Sequence, residues 1–353
     1  MSGTVTTKNP RLSDSARRVL NDPELISIRD GWFARLRRLF DGADDARTVF
    51  AVDGVNGCAG SPSLLYCEPE RWVAECLENL AEHAGQAKNT YIFTPLCIQS
   101  DIYGVHFVDS IFGCKVYFKY GQWYNEYLSR EVGDLTPPDI DKSEAWRLTL
   151  RVAKAFVNAD AKLPVFGMPT IASALNIAVN LYGERILASM LCEPEAAAHD
   201  LRIINDTLMG LHRRMAGLIS ANQLQPVVPC GRIQPPGFGQ ICGCTTQLIS
   251  RACYRDMIAP LDSELLGVYP EGGMIHLCGA HEHQINIFRE MSPLRAVQLN
   301  DRAAGHLADY HAGLRPDQII YLNPCDDMPA VKAVDITGGK RLVLVGRYRE
   351  NKR

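Results

Sequence analysis

The spacing of apolar and polar residues changes repeatedly along this chain, and each change marks an element. Residues 1–47 hold "SARRVLND" and "DGWFARLRRLFDG", arginine-rich stretches whose apolar positions predict a helical, partly irregular N-terminal extension. "TVFAVDGV" at 48–55 reads as a first strand. "EPERWVAECLENLAEHAGQ" places Pro69 near a first turn and repeats its apolar residues at helical spacing. "NTYIFTPL" at 89–96 predicts the next strand, and 98–142, rich in Tyr, Phe and Gly, runs irregularly into the loop "DLTPPDID". Ser143 suits the N-cap of a helix reaching about residue 158, and "LPVFGM" at 163–168 is a third strand. Thr170 opens an apolar helix, and Pro194 starts another that runs to about Ser220.

Beyond that point the rhythm is regular. Strands at 225–230, 273–278, 295–299, 318–322 and 341–346 alternate with helices near 245–259, 281–290, 301–312 and 329–336. Eight strands with short connections predict an α/β fold: a closed (β/α)8 TIM barrel over 48–353, preceded by the extension 1–47. An open doubly wound sheet is the alternative. It lacks a nucleotide loop, since "GFGQICG" has the wrong glycine spacing and no GxxxxGK[ST] occurs.

Composition narrows the function class. The net charge is −3 with both signs mixed along the chain, which gives no footprint for nucleic acid or a membrane surface. No run approaches the ~18 apolar residues of a membrane span. The start, "MSGTVTTKNPRLSD", has no apolar core of the kind a secretory signal needs. Twelve cysteines without an export signal point to a reducing cytoplasm and mostly free thiols.

The chemistry gathers in "GGMIHLCGAHEH" (272–283). On a strand, His276 and Cys278 share a face. Cys325 follows another strand end in "IIYLNPCDD", and in a parallel barrel all strand ends converge. His276, Cys278 and Cys325 thus form a candidate zinc set with one open position, the alternative being ordinary core residues. "HEHQI" is no HExxH motif, and His281 and His283 fall on the next helix's first turn, solvated or beside the site. His306 and His311, five apart, read as surface residues. Cys230, Cys242 and Cys244 lie in a Gly/Pro-rich loop, where one of them can serve as a fourth ligand or a reactive thiol. Asp53 and Asp109 are candidate acids. Tyr103, His106, Asn176 and Gln247 fall near strand ends and are candidate pocket residues.

Taken in order, "DIYGVHFVDSIFGCKVYF", "NLYGERILASMLCEPEAAAHDL", "RDMIAPLDSELL", "GGMIHLCGAHEHQINIF" and "IIYLNPC" resemble the uroporphyrinogen decarboxylase superfamily over roughly 90–346. Within it, the chain is similar to the zinc-dependent corrinoid methyltransferases, including the methylcobamide:coenzyme M enzymes. The branch's His-x-Cys-Gly element with a distant Cys maps onto His276, Cys278 and Cys325. The resemblance implies zinc-dependent methyl transfer between a corrinoid and a small thiol or methylated molecule. The arginine-rich segment of porphyrinogen decarboxylases is absent; "FAVDGVNGCAGSP" stands in that region. The corrinoid signature DxHxxG is also absent, since "DYHAGL" places its glycine one position early, so the cobalamin is expected on a partner protein. A lyase of the same superfamily acting on a non-porphyrin substrate, or a non-catalytic binding protein on the same scaffold, are the other classes.

Overall fold

The structure is a computed structural model that describes residues 12–42, 50–58, 62–226 and 229–346. The first eleven residues of the expected extension, residues 43–49 and residues 227–228 of the expected strand 225–230 lie outside the described residues.

Twelve strands run in chain order: β1 (Phe50–Val52), β2 (Val55–Asn56), β3 (Leu96–Gln99), β4 (Val116–Lys119), β5 (Gln122–Asn125), β6 (Val165–Gly167), β7 (Leu224–Gln225), β8 (Gly239–Cys242), β9 (Gly273–Cys278), β10 (Leu294–Asn300), β11 (Ile319–Leu322) and β12 (Leu342–Val345). One parallel sheet has the order β1-β12-β11-β10-β9-β8, and a second has the order β2-β3-β6-β7. A parallel bridge between Val52 and Phe93 joins them. Among the described residues no ladder links β7 to β8. β4 and β5 form a separate antiparallel hairpin.

Four expectations shift in position. The strand expected at 89–96 begins at Leu96, because the Asn89 Oδ1 accepts the backbone N–H groups of Tyr91 and Ile92 and turns the chain there. The strand expected at 225–230 stops at Gln225, and the glycines and prolines that suggested a loop enclose the four-residue strand β8. The helix expected near 245–259 is a 3-10 turn, Cys244–Leu248, then a helical run from Arg251 to Leu266 with a π turn at Tyr254–Ile258 just before Pro260. Proline offers no N–H to close an α turn, which accounts for the widened one. The helix expected to open at Thr170 begins at Ala174, with Ser173 as its N-cap, and breaks at Gly183 (φ 65°) into Ala174–Tyr182 and Glu184–Cys192. The other helices expected after residue 140 form close to their places, with Ser143 accepting from the Trp146 N–H as an N-cap.

Both sheets turn one face onto a shared inner core. Phe50 and Val52 of β1, Cys97 of β3, Val165 of β6, Met274 of β9, Ala296 of β10 and Tyr321 of β11 belong to one buried cluster. Alternate residues such as Ile275, Leu277, Val297 and Leu299 face outward into the helical layer. The N-terminal helix Pro23–Phe40 sends Trp32, Phe33, Leu36 and Phe40 into the inner cluster. Trp32 stacks on Phe93 at 5.7 Å and Phe40 packs on Phe238 at 4.6 Å, both just ahead of strands. The helix therefore caps the N-terminal ends of the strands and leaves their C-terminal ends to carry chemistry. Among the described residues no helix is long and apolar enough to cross a membrane.

Candidate metal and thiol site

Strand alternation builds the site. On β9, Met274, His276 and Cys278 point to the inner face while Ile275 and Leu277 pack outward. β8 and β10 flank β9 in parallel, and the register sets Cys242 beside His276, Gln298 on its other side, and Asn300 beside Cys278. The close approach of β8 to β9 depends on glycine: a Cβ on Gly273 would lie 2.2 Å from the Gly239 carbonyl oxygen. After Cys242 the chain turns, and its 3-10 helix brings Cys244 back to the same spot.

The ligand atoms of Cys242, Cys244 and His276 lie within 4.8 Å of one another, and this trio can hold a metal ion. The two sulfurs are 3.5 Å apart, and the Cys278 Sγ is 3.0 Å from the His276 Nε2. Tetrahedral zinc, with ligands at about 2.0 to 2.3 Å, sets its donors about 3.3 to 3.8 Å apart, so this spacing needs little adjustment. The imidazole is oriented for it. His276 Nδ1 donates to the Gln298 Oε1, and the Gln298 Nε2 donates to the Asn323 Oδ1 at 2.6 Å. The Nε2 lone pair is thereby left facing the thiols, as a metal ligand requires.

Electrostatics follow from the crowding of sulfur. Hydrogen bonding from Cys244 pulls the Cys242 and Cys278 thiols below their ordinary pKa, with His276 adding to the effect. Cys244 is pushed up in turn by those two bonds and by burial. Arg232, lowered chiefly by its own burial, feels the negative charge of all three cysteines and supplies the nearby cation. Asn300 Nδ2 and Asn176 Nδ2 approach the sulfurs of Cys278 and Cys242 at 3.7 and 3.8 Å. His281, expected solvated or beside the site, is fully buried: its Nε2 donates to the Cys278 carbonyl at 2.8 Å, and its Nδ1 faces the Thr246 hydroxyl. It braces the turn where Gly279, at φ 98°, passes so close to Gln247 that a Cβ would lie 2.2 Å from the Gln247 Oε1.

No protein-family profile matches the chain, and no curated protein matches it. A solved methyltransferase from Methanosarcina mazei does match in three dimensions. Its TM-score is 0.60 at 9% sequence identity, covering 89% of this chain and 92% of that one. The likeness is one of fold.

The residues singled out in the sequence fall in several separate places. His276 and Cys278 meet Cys242 and Cys244, with Asn176 against Cys242 and Gln247 over the following turn. Cys325 lies three residues beyond β11 in a tight turn, paired through its backbone with Met328, and is not part of the compact trio. Cys230 stands apart too, its carbonyl accepting from the Gly54 N–H. Tyr103, His106 and Asp109 gather after β3. There His106 Nδ1 and the buried Asp109 Oδ2 are 2.6 Å apart, and burial raises the Asp109 carboxyl against the pull of His106. Asp53 sits between β1 and β2, its N–H bonded to the Phe93 carbonyl. Arg232, Gln298 and Asn300 were not foreseen. Gln298 and Asn300 had a readable signal: polar residues at alternate positions after the apolar Ala296 and Val297 of β10.

Proposed function

We propose that this chain is a zinc-dependent methyltransferase that moves a methyl group between a corrinoid on a partner protein and a small thiol or methylated molecule. The setting would be a closed α/β barrel of TIM type. The observation that carries the reading is the convergence of Cys242, Cys244, His276 and Cys278 at the C-terminal ends of two paired parallel strands. Active sites of parallel barrels occupy that end. The fold likeness to a methyltransferase is compatible with it.

Cys242, Cys244 and His276 would hold the metal, with Cys278 as the fourth neighbour on the more open side. Zinc at such a site keeps a coordinated thiol deprotonated at neutral pH while leaving it nucleophilic. The protein's own residues do the rest. Gln298 fixes the imidazole tautomer, and the amides of Asn176 and Asn300 donate to sulfur and hold it in place. Arg232 offsets part of the charge of a thiolate-rich set. Cys325, the distant cysteine of the resemblance, is the competing choice of sulfur ligand, and a single Cys325→Ser substitution examines it.

The test mixes zinc-loaded protein with methylcobalamin and either coenzyme M or homocysteine, then runs methylated donors against cob(I)alamin. Zinc-dependent conversion of the cobalamin visible spectrum is expected, lost at least 100-fold in Cys242→Ser. No conversion with any donor, acceptor or corrinoid protein would leave the lyase reading in its place.

A further inference from the structure

A second feature, after β3, has no part in metal binding. The chain leaving β3 carries Asp101 and Tyr103, and the β4–β5 hairpin folds over them. Together with the helix Pro62–Cys67 they line a half-open cavity of about 750 Å³. Its walls include Tyr66, Trp72, Phe118 and Trp123, with Asp101 on its edge. The Tyr66 and Trp123 rings are 5.8 Å apart at 50°, and Tyr103 packs edge-on against Trp123 at 5.0 Å and tilted against Tyr66 at 5.6 Å. Phe118 extends the wall, at 5.1 Å from Trp123.

Two details set this apart from a self-filling aromatic core. Tyr103 is held at φ 55°, a left-handed conformation costly for a bulky side chain, and its N–H donates to the Tyr66 hydroxyl at 3.1 Å. Strain of this sort persists where surrounding structure imposes it, and it concentrates at binding sites. Second, among the described residues the cavity walls include an acid but no Lys, Arg or His. Partial burial raises the Asp101 carboxyl, and among the described residues no cationic side chain offsets it. Such a pocket disfavours a sulfonate or phosphate. It suits a cation without N–H groups to satisfy.

We propose that this aromatic pocket binds a methylated ammonium group, with Tyr66, Trp72, Phe118 and Trp123 as the cage and Asp101 as the counter-charge. Aromatic faces attract quaternary ammonium through the ring quadrupole, and methylated nitrogen asks for no hydrogen bonds. As a choice of methyl donor, the inference rests on the function proposed above; as a binding site it does not. In the donor direction the C–N bond breaks with its electron pair kept by nitrogen, and a neutral tertiary amine leaves. The methyl goes to the partner's cob(I)alamin, which supplies both electrons of the new bond and becomes methylcob(III)alamin.

The experiment is calorimetric titration of the full chain, without zinc, using choline and its uncharged carbon isostere 3,3-dimethylbutan-1-ol. Saturable choline binding is expected, with the isostere at least 10-fold weaker. Trp123→Ala should weaken choline at least 10-fold, Trp123→Phe less, and Asp101→Asn several-fold without disturbing the fold. Equal binding of the isostere, no saturable binding of choline, or unchanged affinity in Asp101→Asn would overturn the site. Because no metal is present, choline binding beside a silent cobalamin assay would sink the methyltransferase reading alone. Zinc-dependent methyl transfer without choline binding would sink this one alone.

Discussion

At the scale of single residues, the site depends on which nitrogen of His276 faces the thiols, and Gln298 decides that. Its carbonyl oxygen can only accept, so the proton stays on Nδ1. Gln298→Leu keeps the volume and removes the acceptor; zinc affinity is expected to fall about 10- to 100-fold with an unchanged circular dichroism spectrum. Unaltered affinity would show that the tautomer is set elsewhere. Half of the thiol site was legible in the sequence. HxC at the end of an apolar run places His276 and Cys278 on one face whatever surrounds them, because a strand alternates. Cys242 carries the same logic, but only if residues 239–242 are a strand, and the "QPPGFG" that leads into them reads as loop; Cys244 reaches the site through the 3-10 turn that follows.

At the scale of elements, β8 is that hidden strand. Its Gly239, read as a loop residue, is the register partner of Gly273, and neither has room for a Cβ: one on Gly273 would strike the Gly239 backbone, one on Gly239 the Tyr269 ring. Gly273→Ala is expected to pry β8 from β9, lowering the unfolding midpoint and weakening zinc binding together, since Cys242 and His276 sit on the separated strands. Loss of stability with full zinc affinity would contradict the coupling. The helix Pro23–Phe40 tells the reverse story. Its amphipathic pattern is plain, but nothing local shows that its apolar face closes the inner core. Leu36 is fully buried there, so Leu36→Ala should cost about 2 to 5 kcal/mol in urea unfolding. A cost near zero would mean that the helix is only loosely attached.

For the whole molecule, stability against pH is shaped by buried groups far from the thiols. Burial raises the Asp262 carboxyl to about 7 from 3.8, so the folded state keeps a proton that the unfolded chain has released. That group's contribution is full below about pH 4 and is lost as pH rises towards 7. His212, buried and lowered to about 4, acts oppositely: its contribution is full above about 6.5 and is lost as pH falls. Between about pH 4 and 7 the two offset each other, so the wild-type curve conceals both. Asp262→Asn uncovers the first, and its stability relative to wild type should rise steadily from about pH 5 to 7.5; a constant difference would refute the assignment. The parallel order of strands is what brings the ends of β8 and β9 together, and the proposed chemistry depends on that meeting. Zinc K-edge X-ray absorption on the loaded protein tests it most directly. Two sulfurs at about 2.3 Å and one nitrogen at about 2.0 Å are expected, rising to three sulfurs when a thiol acceptor is added, falling to one in Cys244→Ser and unchanged in Cys325→Ser. A sulfur count that falls in Cys325→Ser but holds in Cys244→Ser, or a shell without sulfur, would contradict the account.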